Sequence, residues 1–238
     1  MLLIGLIMQR RGPEKWKVLA VVCVLIGAIM FAGGLLWKTK GSIPGFLTVT
    51  LVFTVGAVYA RSGLLAALAV FALSSCFGAR TGYWHASYFL SIKEPAMVAV
   101  FFTITGILLY QLSLRLKPEF ERLTIIAART CVFLVNFGLW IGSLWDDYIN
   151  IGEFKFKIDE NIFVVVWAIA LIIAGVWAWS RNRRAMFNIC AVFAAIHFYT
   201  QWFENLRYSP WSLFTAGVIA LTFAISLKIA NDSIKASG

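Results

Sequence analysis

The stretch Val18–Trp37, VLAVVCVLIGAIMFAGGLLW, decides the fold class because it runs for twenty residues without an acidic or basic side chain. A helix rises about 1.5 Å per residue, so this run is long enough to cross a hydrocarbon core about 30 Å thick. Comparable runs follow at Ala96–Leu114, Ile162–Trp179 and Trp211–Leu227. The pattern predicts an all-α protein, a polytopic bundle of transmembrane helices.

The composition agrees with a protein whose surroundings are membrane lipids. Apolar residues make up 61% of the 238 residues and charged residues 13%, against about a quarter charged in soluble domains. This length accommodates a single transmembrane domain over residues 1–238 and leaves no room for a soluble one. The net charge of +10 is attributed to lysine and arginine in cytoplasmic loops, and no nucleic-acid partner is expected.

Apolar runs and loop charges together predict about eight spans. A cytoplasmic or interfacial segment, residues 1–16, precedes them. The predicted spans are Lys17–Trp37, Gly45–Ala60, Gly63–Gly78, Pro95–Leu116, Arg122–Trp145, Asn161–Ser180, Arg184–Phe203 and Trp211–Ile229. Spans two and three are short and share the Arg61-Ser62-Gly63 turn, so a helical hairpin that crosses only in part is the alternative for them.

Loop charges predict the orientation of these spans. With the N-terminus inside, thirteen lysines and arginines fall on the cytoplasmic side and seven on the other, and Arg129 lies within a span. The loop 146–160 on the opposite side holds five of the eleven acidic residues. The positive-inside rule therefore predicts both termini in the cytoplasm.

A similarity between two segments of the chain raises the hypothesis of a parallel repeat of four spans each. Tyr83-Trp84-His85 precedes Pro95 and a helix, as His197-Phe198-Tyr199 precedes Pro210 and a helix. Parallel repeats are one known architecture of membrane proteins. Chance similarity between aromatic-rich sequences is the alternative.

Span five carries polar residues at a depth in the membrane where polar and charged side chains are energetically unfavourable. Arg129, Asn136, Trp140, Ser143 and Asp147 share one face at about 100° per residue. A polar seam lining a cavity is one interpretation, and the other is that Arg129 extends to the interface while Asn136 joins two helices. Beside this face, Gly138 and Gly142 form a Gly-x-x-x-Gly pair that permits close helix packing.

A second polar face is predicted on span seven. His197, Gln201 and Glu204 follow one another at intervals of four and three residues. Together with Arg129 and Asn136 they form the candidate intramembrane polar site. A histidine at this depth can relay protons or bind a metal, and a hydrogen-bonded structural histidine is the favoured alternative.

The non-cytoplasmic rim is expected to gather aromatic and acidic residues into a partner or ligand surface. An ordinary aromatic belt is the alternative interpretation. The rim residues are Trp84, His85, Tyr88, Trp145, Asp146, Asp147, Tyr199 and Trp202. The alternating stretch 152–157, Gly-Glu-Phe-Lys-Phe-Lys, predicts a short exposed strand or an interfacial segment.

No catalytic motif or metal-ligand spacing is present in the sequence, so neither an enzyme nor a cofactor is expected. Haem held between His85 and His197 is kept as a remote alternative, because these are the two histidines of the chain.

Three stretches carry a resemblance to a known group of proteins: Tyr83-Trp84-His85-Ala86-Ser87-Tyr88, Leu134-Val135-Asn136-Phe137-Gly138, and Tyr199-Thr200-Gln201-Trp202-Phe203-Glu204. They resemble a family of uncharacterised bacterial multi-spanning inner-membrane proteins, over roughly the last two thirds of the chain. The resemblance implies a bacterial inner-membrane location but assigns no activity and no functional residues.

Two functions from different classes are weighed. The first is an accessory, scaffold or assembly subunit, whose partner is another membrane protein or a second copy of the chain. The alternative is a small-molecule or ion transporter or channel with a polar site between spans five and seven. The scarcity of carboxylates and Pro-broken helices at membrane depth favours the first.

Overall fold

The computed structural model describes residues 1–78, 80–84, 87–92, 94–145, 147–151, 154–205 and 210–236. Most of this described part is helical. The helices are α1 (Leu2–Arg11), α2 (Lys17–Lys38), α3 (Ile43–Ala60), α4 (Gly63–Ser74), α5 (Pro95–Ser113), α6 (Pro118–Gly142), α7 (Glu160–Ser180), α8 (Arg184–Asn205) and α9 (Pro210–Ala236). Single turns of 3-10 helix lie at Glu14–Trp16 and Ser75–Phe77.

Among the described residues, six helical segments are long and apolar enough to cross a membrane, which confirms an all-α protein of the membrane type. They are Glu14–Lys38, Ile43–Ala60, Pro95–Ser113, Pro118–Gly142, Glu160–Ser180 and Pro210–Ile229. The predicted count of eight is not confirmed, because spans three and seven are not among the six. Span three corresponds to the helical segment Gly63–Phe77, which is short. Span seven corresponds to α8, whose apolar sequence is interrupted by polar side chains such as Asn188, His197 and Gln201.

Two antiparallel β-hairpins interrupt the helices. β1 (Arg80–Trp84) pairs with β2 (Ser87–Ser91), and β3 (Asp147–Ile151) pairs with β4 (Phe154–Ile158). Of the two alternatives for 152–157, a strand or an interfacial segment, the described residues of this stretch lie in the strand β4. The first hairpin was not predicted. The predicted repeat is not confirmed: Tyr83 and Trp84 lie in a strand, while their proposed equivalents at residues 197–199 lie in α8.

The chain divides into two compact units, Met1–Gly138 and Leu139–Gly238. The core of the first unit brings together α1, α2, α3, α4 and α6. Leu6, Val24, Phe53, Leu65 and Leu123 represent these five helices in one buried cluster. The segment 1–16, predicted to be cytoplasmic or interfacial, thus contributes a helix that packs against its neighbours.

Close approach of α1 and α2 depends on a glycine in each helix. A Cβ added at Gly5 would lie 2.7 Å from the backbone nitrogen of Val24, and one added at Gly27 would overlap the backbone of Leu2. These contacts place α1 beside the first half of α2, because Leu2 contacts Gly27 and Gly5 contacts Val24. The two helices pack with their backbones nearly touching at these positions.

Contacts near the ends of helices in the first unit place three turns on one side of it. The Arg61 guanidinium pairs with the Glu119 carboxylate at 2.7 Å, which joins the α3–α4 turn to the start of α6. The Arg10 guanidinium lies 4.4 Å from the ring centre of Tyr59, which joins the end of α1 to the end of α3. The predicted tight turn is also present, since α3 ends at Ala60 and α4 begins at Gly63.

In the second unit, α7 and α8 pack antiparallel. Trp167 of α7 is fully buried and meets the rings of Phe193 and His197 edge-on. Toward the turn that joins the two helices, the rings of Trp179 and Phe187 are 5.3 Å apart. The contacts of α9 are sparser, and only 6% of its apolar window is buried.

Candidate functional site

Arg129 is an exposed cation near the middle of α6. It is the twelfth of the 25 residues of this helix, roughly 17 Å from the Pro118 end and 20 Å from the Gly142 end. Within the described part of the chain, no carboxylate pairs with its guanidinium. Arg61 pairs with Glu119 and Lys17 with Glu14, and neither pair involves Arg129.

The surface around Arg129 is a shallow groove of about 280 Å³ in the first unit. Phe71 of α4 and Phe133 of α6 form its walls, with their ring centres 6.1 Å apart. Ile126 and Thr130 complete the lining. The groove therefore presents one fixed positive charge in an otherwise nearly apolar surface.

The other polar residues of the predicted seam on span five lie in a different environment. Asn136 is only 7% exposed, and its side-chain amide donates to the carbonyl of Val132 at 2.8 Å. Ser143 is buried and donates to the carbonyl of Trp140 at 2.7 Å. Asp147, also buried, belongs to β3. The face that contains Arg129 is therefore open at Arg129 and covered at Asn136.

Gly138 and Gly142 contact two different helices of the same chain. A Cβ at Gly138 would lie 3.3 Å from the carbonyl oxygen of Pro95, at the start of α5. A Cβ at Gly142 would lie 2.6 Å from the ring of Phe163 in α7. The close packing that these glycines allow is thus occupied within the chain.

On α8, exposure increases from His197 to Glu204. His197 and Gln201 are half-buried, and Glu204 is exposed. The Nδ1 atom of His197 is buried and has no hydrogen-bond partner among the described residues. Arg129 and Asn136 belong to the first unit, whereas His197, Gln201 and Glu204 belong to the second. The predicted polar site between spans five and seven therefore stays a prediction.

The predicted rim residues divide into several groups. His85 and Asp146 lie outside the described residues. Trp84 is in β1 and Tyr88 in β2, and Trp145 is 62% exposed after the end of α6.

Tyr199 and Trp202 form hydrogen bonds that attach α9 to α8. The Tyr199 hydroxyl donates to the carbonyl of Ala216 at 2.7 Å. The indole Nε1 of Trp202 donates to the Ser212 hydroxyl at 2.9 Å. These two rim residues therefore join helices of the second unit.

Sequence reasoning missed two further contacts. Trp140 was placed on a polar face, but its partner, the Thr200 hydroxyl at 3.0 Å, is sixty residues away and carries no local signal. Trp167 was part of an unbroken apolar run, so its packing against His197 could not be read from periodicity. Over the described residues no group of His, Cys, Asp and Glu is arranged to hold a metal ion.

Comparisons with known proteins add no family to this geometry. No protein-family model matches the chain, and neither a curated protein nor a solved structure matches it.

Proposed function

We propose that the chain is an accessory, scaffold or assembly subunit of a membrane complex, and that Arg129 and its groove contact a transmembrane helix of the partner. The observation that carries this proposal is the exposed guanidinium near the middle of α6 with no carboxylate beside it in the described structure. Insertion scales assign a charge at the centre of a membrane helix a cost of about 2.5–3.5 kcal/mol.

The groove favours an acidic residue on the partner helix. A carboxylate at membrane depth has the same unfavourable insertion energy as the guanidinium, and pairing the two offsets both penalties. Phe71 and Phe133 flank the cation, so a partner side chain beside them would be shielded from water. The single cation and its apolar surroundings therefore fit a partner transmembrane helix that carries one acidic residue.

The partner helix is not expected to pack against Gly138 and Gly142, because other helices of the chain already cover these glycines. Gly138 and Gly142 are occupied by Pro95, Val98 and Phe163 of the chain itself. A partner that depends on Arg129 therefore approaches the exposed side of α6, on the same face as Phe133.

We further propose a topology of eight spans in the bacterial inner membrane, with the turn between α1 and α2 and the end of α9 on the cytoplasmic side. The excess of lysine and arginine supports this orientation. The Arg61–Glu119 pair and the Arg10–Tyr59 contact support a common side for three turns of the first unit. The α8 helix, with 22 residues, is about 33 Å long and has the length to cross. The family resemblance supports the inner-membrane location.

The test is native mass spectrometry of the chain extracted in mild detergent from its own membrane, as wild type, Arg129→Gln and Arg122→Gln. Arg122 is an exposed cation on the same helix, close to its beginning, so its variant removes the same charge without touching the groove. We expect a stoichiometric protein partner in the wild type and in Arg122→Gln, and its loss in Arg129→Gln.

Two outcomes contradict the subunit proposal: a wild-type chain with no protein partner, or an anionic phospholipid in place of a protein. A partner retained by Arg129→Gln contradicts the proposed contact at Arg129. The transporter alternative requires a different result. In that case Arg129→Gln abolishes uptake by a solitary chain reconstituted in vesicles.

A further inference from the structure

The short helix α1 has the length of one leaflet of the membrane. Its first residue, Leu2, contacts Gly27, which is the eleventh of the 22 residues of α2 and so lies about 15 Å from the Lys17 end. From there α1 runs back toward that end, since Gly5 contacts Val24. The ten residues of α1 span about 15 Å, which is half of a hydrocarbon core about 30 Å thick.

The helices α1 and α3 lie side by side in the first unit and run in the same direction. A Cβ added at Gly56 of α3 would lie 3.7 Å from the side chain of Leu6 in α1. One turn further along both helices, the Arg10 guanidinium lies 4.4 Å from the ring centre of Tyr59. Because the contacts advance together along the two helices, α1 and α3 are parallel neighbours as far as the contact between Arg10 and Tyr59.

Each of these two helices presents an exposed row of side chains that is aliphatic at first and ends at the contact between Arg10 and Tyr59. Intervals of three and four residues, which bring side chains to the same face of a helix, relate the members of each row. The exposed residues of the two rows are Leu3, Ile7 and Arg10 on α1 and Leu51, Val55 and Tyr59 on α3. Together they form an aliphatic surface, one leaflet deep, with a cation and an aromatic ring at the end nearest the membrane surface.

Positive charge is in excess at this end of the surface. Arg10 and Arg11 are both exposed, and over the described residues no carboxylate pairs with either of them. Arg61, two residues beyond Tyr59, is already neutralised by Glu119. Basic sites between transmembrane helices bind anionic lipid head groups. A zwitterionic head group would bring its own cation close to Arg10 and Arg11, so the charge favours an anionic lipid.

Tyr59 holds the Arg10 guanidinium in an orientation that suits a phosphate. A guanidinium stacked on an aromatic ring loses little further freedom when it binds. Its N–H groups can still donate two parallel hydrogen bonds to phosphate oxygens. A free phosphate would contact the arginines alone, whereas a phospholipid also covers the exposed aliphatic rows. The surface as a whole therefore fits a phospholipid.

We propose that this surface binds one anionic diacyl phospholipid, with its phosphate on Arg10 and Arg11 and one acyl chain along each aliphatic row. The lipid lies against α1 and α3 of the first unit, in the leaflet that α1 occupies. This site is independent of the protein partner proposed at Arg129, because none of its residues lines that groove.

Photocrosslinking from Ile7 tests the site directly. The full chain carries p-benzoylphenylalanine at this position in nanodiscs of equal parts dioleoylphosphatidylglycerol and dioleoylphosphatidylcholine, and the lipid adducts are identified by mass spectrometry. Val165 of α7 is also exposed but follows the acidic residues Asp159 and Glu160, so the same photoreactive residue there is the control. We expect about tenfold more phosphatidylglycerol than phosphatidylcholine at Ile7, the range of one hydrogen bond to a charged group, and no such excess at Val165.

Variants in this background separate a specific phosphate contact from a general effect of charge. Arg10→Gln with Arg11→Gln removes the phosphate contacts and should make the two lipids equally abundant in the adducts. Lys38→Gln with Lys40→Gln removes the same charge near the other end of α2, where both lysines are exposed, and should leave the preference unchanged. Arg10→Lys keeps the charge but loses the planar fork, so its preference should be intermediate.

Competition in the chain with its arginines intact keeps the proposal testable if a variant does not fold. Glycerophosphoglycerol, the head group of phosphatidylglycerol without acyl chains, should leave the adducts at Ile7 unchanged when it is added in excess. Displacement by this head group would overturn the phospholipid as the ligand. Equal adducts of the two lipids at Ile7, or the same loss of preference in the arginine and lysine variants, would overturn the site itself.

Discussion

At the scale of single residues, Arg129 is unfavourable for the isolated chain and favourable for the proposed complex. The side chain is exposed near the middle of α6, and its groove consists mainly of apolar side chains. A cation in this position raises the free energy of the inserted helix relative to an apolar residue. Selection for the stability of the solitary chain alone would favour an apolar residue in place of Arg129.

Arg129→Leu should therefore stabilise the monomer while it removes the partner. The change exchanges a residue that costs about 3 kcal/mol at the centre of a helix for one that inserts favourably. We expect a higher midpoint of thermal unfolding for the purified monomer in detergent, with Arg122→Leu close to the wild type. A lower midpoint for Arg129→Leu would show that the guanidinium already has a stabilising partner within the chain.

The residue scale also shows why the site could be predicted only in part. The helical period placed Arg129 and Asn136 on one face, which is correct geometrically, but Arg129 is exposed and Asn136 buried. Periodicity defines a face, whereas neighbouring helices decide where that face is covered. For the same reason, Tyr199 was predicted to lie at the rim, but its hydrogen bond to Ala216 of the neighbouring helix was not predicted.

At the scale of elements, α7 begins at a side-chain cap. The carboxylate of Asp159 accepts from the backbone nitrogen of Asn161 at 2.9 Å and from its side-chain amide at 2.7 Å. The backbone hydrogen bond, followed by the side-chain one, lowers the pKa of Asp159 below its ordinary value of 3.8. An anion here also interacts favourably with the positive end of the helix dipole.

The cap should make the stability of α7 depend on pH in a defined direction. Because the pKa is lower in the folded chain, the stabilisation is complete above the ordinary pKa and is lost as the pH falls through the folded value. Asp159→Asn caps the helix without titrating, so the difference in unfolding midpoint between wild type and variant should decrease on acidification below about pH 4. The effect is small because the carboxylate is exposed. A difference that does not change with pH would contradict this role.

The helix pair α1 and α2 offers a second test at this scale. Gly27→Leu introduces a side chain where even a Cβ would overlap the backbone of Leu2, so α1 must separate from α2. Gly33, on the same helix, has nothing within 4 Å, so Gly33→Leu is the control. We expect Gly27→Leu to lose about 1–3 kcal/mol or more in the free energy of unfolding and Gly33→Leu to lose little. Similar losses in both variants would contradict the packing of α1 on α2.

At the scale of the whole molecule, the clustering of turns in the first unit predicts which loops share a side of the membrane. A cysteine-free background that carries Lys15→Cys, Lys117→Cys or Lys40→Cys is treated with a membrane-impermeant maleimide. Lys15 precedes α2 and Lys117 precedes α6, whereas Lys40 follows α2. The first two should react in inverted vesicles and the third in intact spheroplasts. If the cysteines of Lys15→Cys and Lys117→Cys react from opposite sides of the membrane, the proposed topology is contradicted.

Sequence alone predicted the long apolar helices well and their ends less well. Span five was predicted to begin at Arg122, but α6 begins at Pro118, because Glu119 and Glu121 are favourable in a first helical turn although they are not apolar. Span eight was predicted to end at Ile229, whereas α9 continues to Ala236. Apolar length describes the part of a helix that lies in lipid and not the whole helix.

The hairpins were harder to predict because their aromatic residues also suit a membrane interface. In the second hairpin, Gly152-Glu153 separates Ile151 from Phe154, and a glycine in a two-residue connection is typical of a hairpin turn. The prediction of a strand or interfacial segment there came instead from the alternation of polar and aromatic residues in 152–157. The first hairpin has His85-Ala86 at the corresponding place, which carries no such signal.

The close contact between α1 and α2 has a consequence for biogenesis. A helix of ten residues is about 15 Å long and cannot be recognised as a membrane segment by itself. Its Leu6 nevertheless lies in the buried cluster with Val24. Because α1 is too short to span alone and its buried side packs on α2, we expect the two helices to enter the bilayer together as a hairpin.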